Sequence, residues 1–193
     1  MTGASGALYA RRLIEVLLER GLPVHLIISG PGWEVCRQEL GWTPPPERPA
    51  EETLREAFAE REGLTYYDNR LLTAPLASGS APVAGMVIVP CSMGTLGRIA
   101  HSISSSLLER AADVALKEGR PLVVVPRETP VHALHLENML ALSRAGARIV
   151  PAMPAFYTRP QTVAELVDFV VGRVLDALGL EHDLYRPWSG PVE

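Results

Sequence analysis

Lysine is nearly absent from this chain of 193 residues: Lys117 stands alone against seventeen arginines. Genome composition or thermal adaptation accounts for the bias itself, and the one retained lysine gains interest from it. With a formal charge of −4, the chain lacks the basic excess of a nucleic-acid binder, although clustered arginines still bind phosphate locally. Cysteine is scarce too. Cys36 and Cys91 make no disulfide framework and fit a reducing cytoplasm. No apolar run reaches the ~18 residues of a membrane span, and no signal-peptide pattern opens the chain. Several chemical signatures are also missing: the G-x-G-x-x-G fingerprint, the H-E-x-x-H metal motif and the nucleophile elbow. His132, His135 and Glu137 do not have metal-ligand spacing, so no metal is expected.

What is present is an alternation of short apolar runs with helical patterns. Val24–Ile28, Met86–Pro90, Val123–Pro126 and Arg148–Pro151 read as strands. Helices are expected over residues 7–20, 32–40, 51–61 (charged and solvated), 94–100, 107–118, 132–145 and 162–178. Residues 43–50 are a proline-rich surface connection, residues 73–82 an aperiodic loop and candidate lid, and the tail from about residue 181 is irregular. The alternation predicts one α/β domain over residues 1–193: a three-layer, Rossmann-like or flavodoxin-like fold with a mostly parallel sheet. One strand is missing from this pattern. A glycine-rich turn before a helix ordinarily follows a strand, yet only two residues precede Gly3. Either the start is placed too late, which is the expectation, or the sheet lacks a strand.

The strand ends carry the chemistry, because ligands of open parallel sheets bind outside the strands' carboxyl ends. Val123-Val124-Val125-Pro126 runs into Arg127-Glu128, a pair suited to hold an anion and move a proton, or simply a loop ion pair. Gly3-Ala4-Ser5-Gly6 leaves a helix N-terminus open to phosphate. Ser29 follows the first strand, and Ser92-Met93-Gly94-Thr95 makes a second small, hydroxylated turn. Each reads either as an N-cap or as part of a shared phosphate or flavin site. Tyr157 follows the last strand, and Arg173 sits among valines on the last helix, where it either snorkels or functions.

Taken together these residues resemble the flavin prenyltransferase family, the enzymes that make prenylated FMN for reversible decarboxylases. The resemblance covers about residues 3–188: GASGA at 3–7, PCSMGTLGRIAHSISSSLLERAADVALKEGRPLVVVPRETP at 90–130, HLENMLALSRAGA at 135–147 and PAFYTRPQT at 154–162. It implies FMN held by Gly3, Ala4, Ser5, Ser29, Ser92, Met93, Gly94, Thr95 and Arg127. Dimethylallyl phosphate would meet Lys117, Arg127, Glu128, Tyr157 and Arg173, with Glu128, Glu39 and Ser5 in catalytic roles. It further implies a homododecamer whose neighbouring subunits share sites. Arg110 and Lys117, seven residues apart on one helix face, would reach such a neighbour. A prenylated-FMN-dependent decarboxylase is the implied functional partner. Leu71 and Leu72 stand where the family often has an aromatic, which alters one wall of the prenyl pocket. Two other readings remain: a flavin-dependent cysteine decarboxylase of the phosphopantothenoylcysteine type, and a flavin-binding accessory subunit.

Overall fold

Every strand pairing is parallel, as the alternation of strands and helices requires. The computed structural model describes residues 1–43, 45–188 and 190. Helix α1 (Ala7–Glu19) leads to β1 (Val24–Ile28), α2 (Gly30–Leu40), α3 (Ala50–Ala57) and β2 (Leu64–Asp68). A 3-10 turn (Pro75–Ala77) precedes β3 (Met86–Cys91), α4 (Met93–Ala100), α5 (Leu107–Lys117), β4 (Leu122–Pro126), α6 (Ala133–Arg144), β5 (Arg148–Ile149) and α7 (Val163–Leu178).

The sheet is in two pieces, β1 with β2 and β3-β4-β5. Met1 and Thr2 join them. The Met1 amino group donates to the Ile27 carbonyl at 2.7 Å, and the Met1 carbonyl accepts from the Ser29 N–H at 3.1 Å. Bonds to the residues either side of Ile28 are the pattern of a parallel bridge. On the other side, the Thr2 N–H donates to the Pro90 carbonyl at 3.2 Å, and the Thr2 hydroxyl accepts from the Ser92 N–H at 2.7 Å. The expected first strand is thus represented by two residues, placed between β1 and β3.

Side chains alternate across β4. Val123 and Val125 join a core with α1, α2, α3 and α7, while Leu122 and Val124 join a second core with α4 and α5. Burial on both faces explains the unbroken apolar run. No helix among the described residues is long and apolar enough to cross a membrane. Cys36 and Cys91 are free and buried, and burial pushes both thiols up to about 12.

Three local expectations change. Strand β2 has no counterpart among the strands expected; its Leu-Thr-Tyr-Tyr-Asp run carries the β-favouring residues but sits in a charged stretch. Helix α3 ends at Ala57 and buries Ala50, Thr53 and Leu54, so it is solvated on one side only. The 73–82 segment is no lid. Ala74, Leu76 and Ala81 are buried, Arg110 Nε donates to the Ala77 carbonyl at 3.1 Å, and Arg120 donates to the Gly79 carbonyl at 2.5 Å. Loop composition carries no sign of such anchors thirty to forty residues downstream.

One buried carboxylate ties α4 to α5. Glu109, 3% exposed, accepts from the Ser105 N–H at 3.0 Å, the Ser105 hydroxyl at 2.7 Å, and Arg98 Nε. Burial opposes its charge, but the bonds from Ser105 and Arg98 outweigh it and hold the carboxyl below its usual range. Charge-assisted bonds of this kind contribute ~1.5–3 kcal/mol. Glu109→Ala should therefore lower the unfolding free energy in urea by about 2 kcal/mol near neutral pH. In the native protein this contribution is present above the ordinary carboxylate pKa and is lost as pH falls through the depressed folded value. The variant should accordingly show a flatter acid limb in its stability–pH curve.

Candidate cofactor and active site

Because all strands run the same way, their carboxyl ends share one edge. The loop from Gly3 to Gly6 lies there, with Gly3 and Ser5 exposed and Ala4 buried. Gly6 has φ 118°, a left-handed conformation suited to glycine, and offers no side chain to cap α1. Glu39 of α2 supplies the cap. Its carboxylate accepts from the Gly6 N–H at 2.9 Å and the Ala7 N–H at 2.7 Å. A negative group on the positive end of a helix is favourable. The expected open helix end is thus already occupied, and the exposed Ser5 hydroxyl is what this loop offers an anion.

Gly3 brings the loop against α2: a Cβ there would lie 2.5 Å from Pro31 Cβ. Tyr9 packs beneath Gly6, where a Cβ would lie 2.8 Å from its ring. The Tyr9 phenol is held above its ordinary pKa, by burial first, with Arg127 opposing and Glu39 reinforcing. Tyr9, Arg127 and Glu39 therefore belong to one neighbourhood. Sequence reasoning missed Tyr9. The available signal was its position three residues after the turn glycine, on the face that α1 presents to the strand ends.

Ser29 and Ser92 act as N-caps. Their hydroxyl oxygens accept from the Gly32 N–H at 3.1 Å and the Thr95 N–H at 3.4 Å. Ser92 also donates to the Thr95 hydroxyl at 3.1 Å, whereas Ser29 keeps its hydrogen for another partner. Met93 and Thr95 are buried, so this turn faces the edge through Ser92 and the exposed Gly94 backbone.

Arg127 and Glu128 are both exposed, and they do not form the loop ion pair. The Arg127 N–H donates to the Cys91 carbonyl at 3.2 Å, which fixes the backbone. Among the described residues the Arg127 guanidinium has no acidic partner within salt-bridge distance. The Glu128 carboxylate accepts from the Thr129 N–H at 3.0 Å. An arginine without a counter-ion at the end of a buried strand is available to an anionic ligand.

The remaining expected residues lie elsewhere. Tyr157 follows β5 on the same edge, 42% exposed, its ring edge-on to Phe169 at 5.9 Å and to Trp188 at 5.5 Å. Arg173 lies beside edge strand β5, in a groove of about 570 Å³ that Met153 and Phe169 also line. Its guanidinium donates to Asp176 at 2.7 Å and to the Tyr185 hydroxyl at 3.1 Å. Lys117 ends α5, paired with Glu118 and packed against Gly79. Helix α5 runs back against the strand direction, so its C-terminus reaches the opposite edge. Lys117 and Arg127 therefore do not meet within one chain. Arg110 and Lys117 do share a face, and that face meets the 77–79 loop. Among the described residues no group of three His, Cys, Asp or Glu side chains is placed to hold a metal ion.

Comparison with known proteins adds an independent finding. Residues 1–175 match the model of the Flavoprotein family. The chain is 50% identical over 190 residues to flavin prenyltransferase UbiX of Halalkalibacterium halodurans, covering 98% of this chain and 91% of that protein. It superposes on the structure of AnUbiX (PadA1) in complex with FMN and dimethylallyl pyrophosphate with a TM-score of 0.88, at 36% identity, covering 100% and 96% of the two chains. A dodecameric FMN-dependent UbiX-like decarboxylase from Escherichia coli O157:H7 gives 0.85 at 42% identity, covering 98% and 100%.

The Glu39 contact makes a direct test of the loop. Glu39→Ala leaves two α1 amides without an acceptor and should cost about 1–2 kcal/mol, read as a lowered melting temperature. Glu39→Gln keeps an acceptor but loses the charge, and should fall between the two.

Proposed function

The chain belongs to the flavoprotein family, in its flavin prenyltransferase branch, and from that premise we propose that it joins a dimethylallyl group from dimethylallyl phosphate to N5 and C6 of reduced FMN. The product is the prenylated FMN cofactor of reversible decarboxylases. The observation that carries the site assignment is Arg127 beside Glu128: an arginine without an acidic partner among the described residues and a carboxylate, at a strand end next to the Gly3–Gly6 loop.

The edge suits FMN chemically. Gly3 and Ser5 face one side; Ser29, Ser92 and the Gly94 backbone face the other, with Ala4, Met93 and Thr95 packed behind them; Arg127 supplies positive charge. Reduced FMN, when bound there, supplies the nucleophile for the two carbon bonds. The protein's part is to bind the departing phosphate, exclude water and move protons. Arg127 offers its planar fork to phosphate oxygens. Glu128 is the carboxylate placed to carry a proton, together with the released phosphate. Tyr157, in its aromatic cluster with Phe169, gives an electron-rich wall for an allylic cation. Ser5 hydrogen-bonds the acceptor, and Glu39 acts through the loop that it holds.

Lys117 and Arg173 complete the phosphate site from other copies. Lys117 lies at the far edge of its own chain, and the exposed Val131, Leu134, Leu136, Leu140, Met153 and Phe156 supply apolar contact area for such neighbours. A homododecamer is the assembly proposed, acting in the cytoplasm, with each chain one domain. A prenylated-FMN-dependent decarboxylase consumes the product.

Incubating protein, reduced FMN and dimethylallyl phosphate without oxygen should add one C5 unit to the flavin mass, with chelator present or absent. An unchanged flavin mass favours the cysteine-decarboxylase or accessory readings. Glu128→Gln should keep FMN binding and slow adduct formation by ~10²-fold or more. Lys117→Ala should weaken donor binding about 10- to 150-fold, the worth of one charge-assisted contact, and leave FMN titration unchanged. Lys117→Arg should rescue only partly, because the fork is larger than the ammonium. Sedimentation of the active protein should show a large oligomer; an active monomer overturns the shared site.

A further inference from the structure

Arg173 is held by more than its own helix. Gly179, in a left-handed turn with φ 75°, ends α7, and the Leu180 N–H closes the cap on the Leu175 carbonyl at 3.0 Å. The chain then turns back, and the rings of His182 and Tyr185 come to lie over Gly172. A Cβ at Gly172 would stand 2.6 Å from the Tyr185 ring and 2.7 Å from the His182 ring, so glycine is what leaves the notch that they fill. The Tyr185 ring also packs on Phe169 at 4.8 Å and on His182 at 5.2 Å.

Asp176, one helical turn beyond Gly172 and Arg173, is the centre of this contact. Its Oδ2 accepts from the Tyr185 hydroxyl at 2.6 Å and from Arg173 Nη1 at 2.7 Å. Its Oδ1 faces His182 Nε2 at 3.1 Å. The Leu184 N–H donates to His182 Nδ1 at 3.2 Å, which assigns the ring proton to Nε2 and makes that nitrogen the donor to Asp176. The His182 side chain is only 6% exposed, so water does not compete for it. Burial opposes the Asp176 charge, but the bonds from Tyr185 and His182 outweigh it and hold the carboxyl below its usual range. Arg173 commits one nitrogen to the cluster: Nη1 donates both to Asp176 and to the Tyr185 hydroxyl, the latter at 3.1 Å. Among the described residues its Nε and Nη2 make no hydrogen bond. A guanidinium edge of two nitrogens is what a bidentate bond to an oxyanion needs, and Arg173 lines an open groove.

We infer that Asp176, His182 and Tyr185 are positioning residues for Arg173: they fix its guanidinium through Nη1 and leave the Nε–Nη2 edge to the phosphate of the prenyl donor. The inference rests on the reading of Arg173 as a phosphate ligand. The cluster also answers a question of charge. A carboxylate beside a phosphate site repels the ligand once its only cation turns away to bind it. Here Tyr185 and His182 keep two hydrogen bonds on Asp176 while Arg173 shares its charge with the phosphate. The turn after α7 is thus a clasp on the donor side of the site, and Gly172 is the notch that lets it close.

The test compares wild type, Tyr185→Phe, Arg173→Ala and the double variant, each as the whole FMN-loaded protein. Tyr185→Phe keeps the ring over Gly172 and removes one hydroxyl. Two titrations are read: dimethylallyl phosphate under turnover without oxygen, and inorganic phosphate, which needs no turnover. Tyr185→Phe should raise the donor KM and the phosphate Kd by about 3- to 10-fold, the contribution of one hydrogen bond. Its kcat should stay within about twofold of wild type, and FMN binding should not change. In the Arg173→Ala background the same substitution should move neither constant, because the hydroxyl acts through the guanidinium. Gly172→Ala, which crowds both rings, should act in the same direction and with the same dependence on Arg173. A role in folding alone lowers the melting temperature and leaves the phosphate Kd where it was; that result, or a loss that persists without Arg173, overturns the inference. If wild type transfers no prenyl group yet binds phosphate with the expected coupling, the prenyl-transfer reading falls and the clasp stands. If it transfers the group and Tyr185→Phe titrates like wild type, the clasp falls alone. Neither transfer nor phosphate binding in wild type overturns both.

Discussion

The bonds of Met1 and Thr2 set the geometry on which everything else rests. They link a pair of strands to a trio and fix the two in one direction and one register. From that follows the common edge where Gly3–Gly6, Ser29, Ser92 and Arg127 lie together. The link is short, yet it sits at the carboxyl end of the sheet, where the loops that carry Gly3–Gly6, Ser29 and Ser92 depart. The loop that follows Thr2 inherits its position from these bonds and from Glu39.

Most of the arginines hold a segment in place, and Arg127 does not. Arg98 holds Glu109 across α4 and α5, Arg110 and Arg120 hold carbonyls of the 77–79 loop, and Arg173 holds the Tyr185 hydroxyl; each thereby ties helices or loops together. Apart from the buried Glu109 pair, such exposed contacts contribute little energy individually. Their effect is to fix where segments lie, as with the 77–79 loop against α5. Arg127 is held by its backbone instead, which leaves its guanidinium solvated. A side chain committed to an ion pair gives it up at a cost when it meets a ligand, whereas an anion at Arg127 would have no ion pair to break among the described residues.

The sequence made the parallel α/β plan legible because burial on both faces leaves uninterrupted apolar strands, and β3 and β4 show this directly. Helix ends were legible where serine or threonine caps them, as Ser92, Ser106 and Thr162 do. Strand β2 was hidden because its polar and aromatic residues carry no buried run. The residues at the strand ends were legible as candidates, but their partners were not. Nothing local says that Glu39 caps a helix thirty-two residues earlier, or that Arg127 lacks a counter-ion among the described residues. Lys117 was legible as a singular residue and as a neighbour of Arg110 on one helix face. Its distance from Arg127 within the chain is a matter of topology, since helix α5 must return to the opposite edge before β4 begins.

The two cysteines bear on a different aspect of the protein's chemistry. An allylic phosphate is an alkylating agent, and the strongest nucleophile that proteins ordinarily offer it is a thiolate. Cys91 ends the strand immediately before the Ser92 turn, and Cys36 lies one helical turn from Glu39, so both border the ligand edge. Buried and raised to about 12, they remain thiols at any physiological pH. An allylic phosphate bound at that edge would thus lie near sulfur that stays protonated, a protection that lasts only while both side chains stay packed.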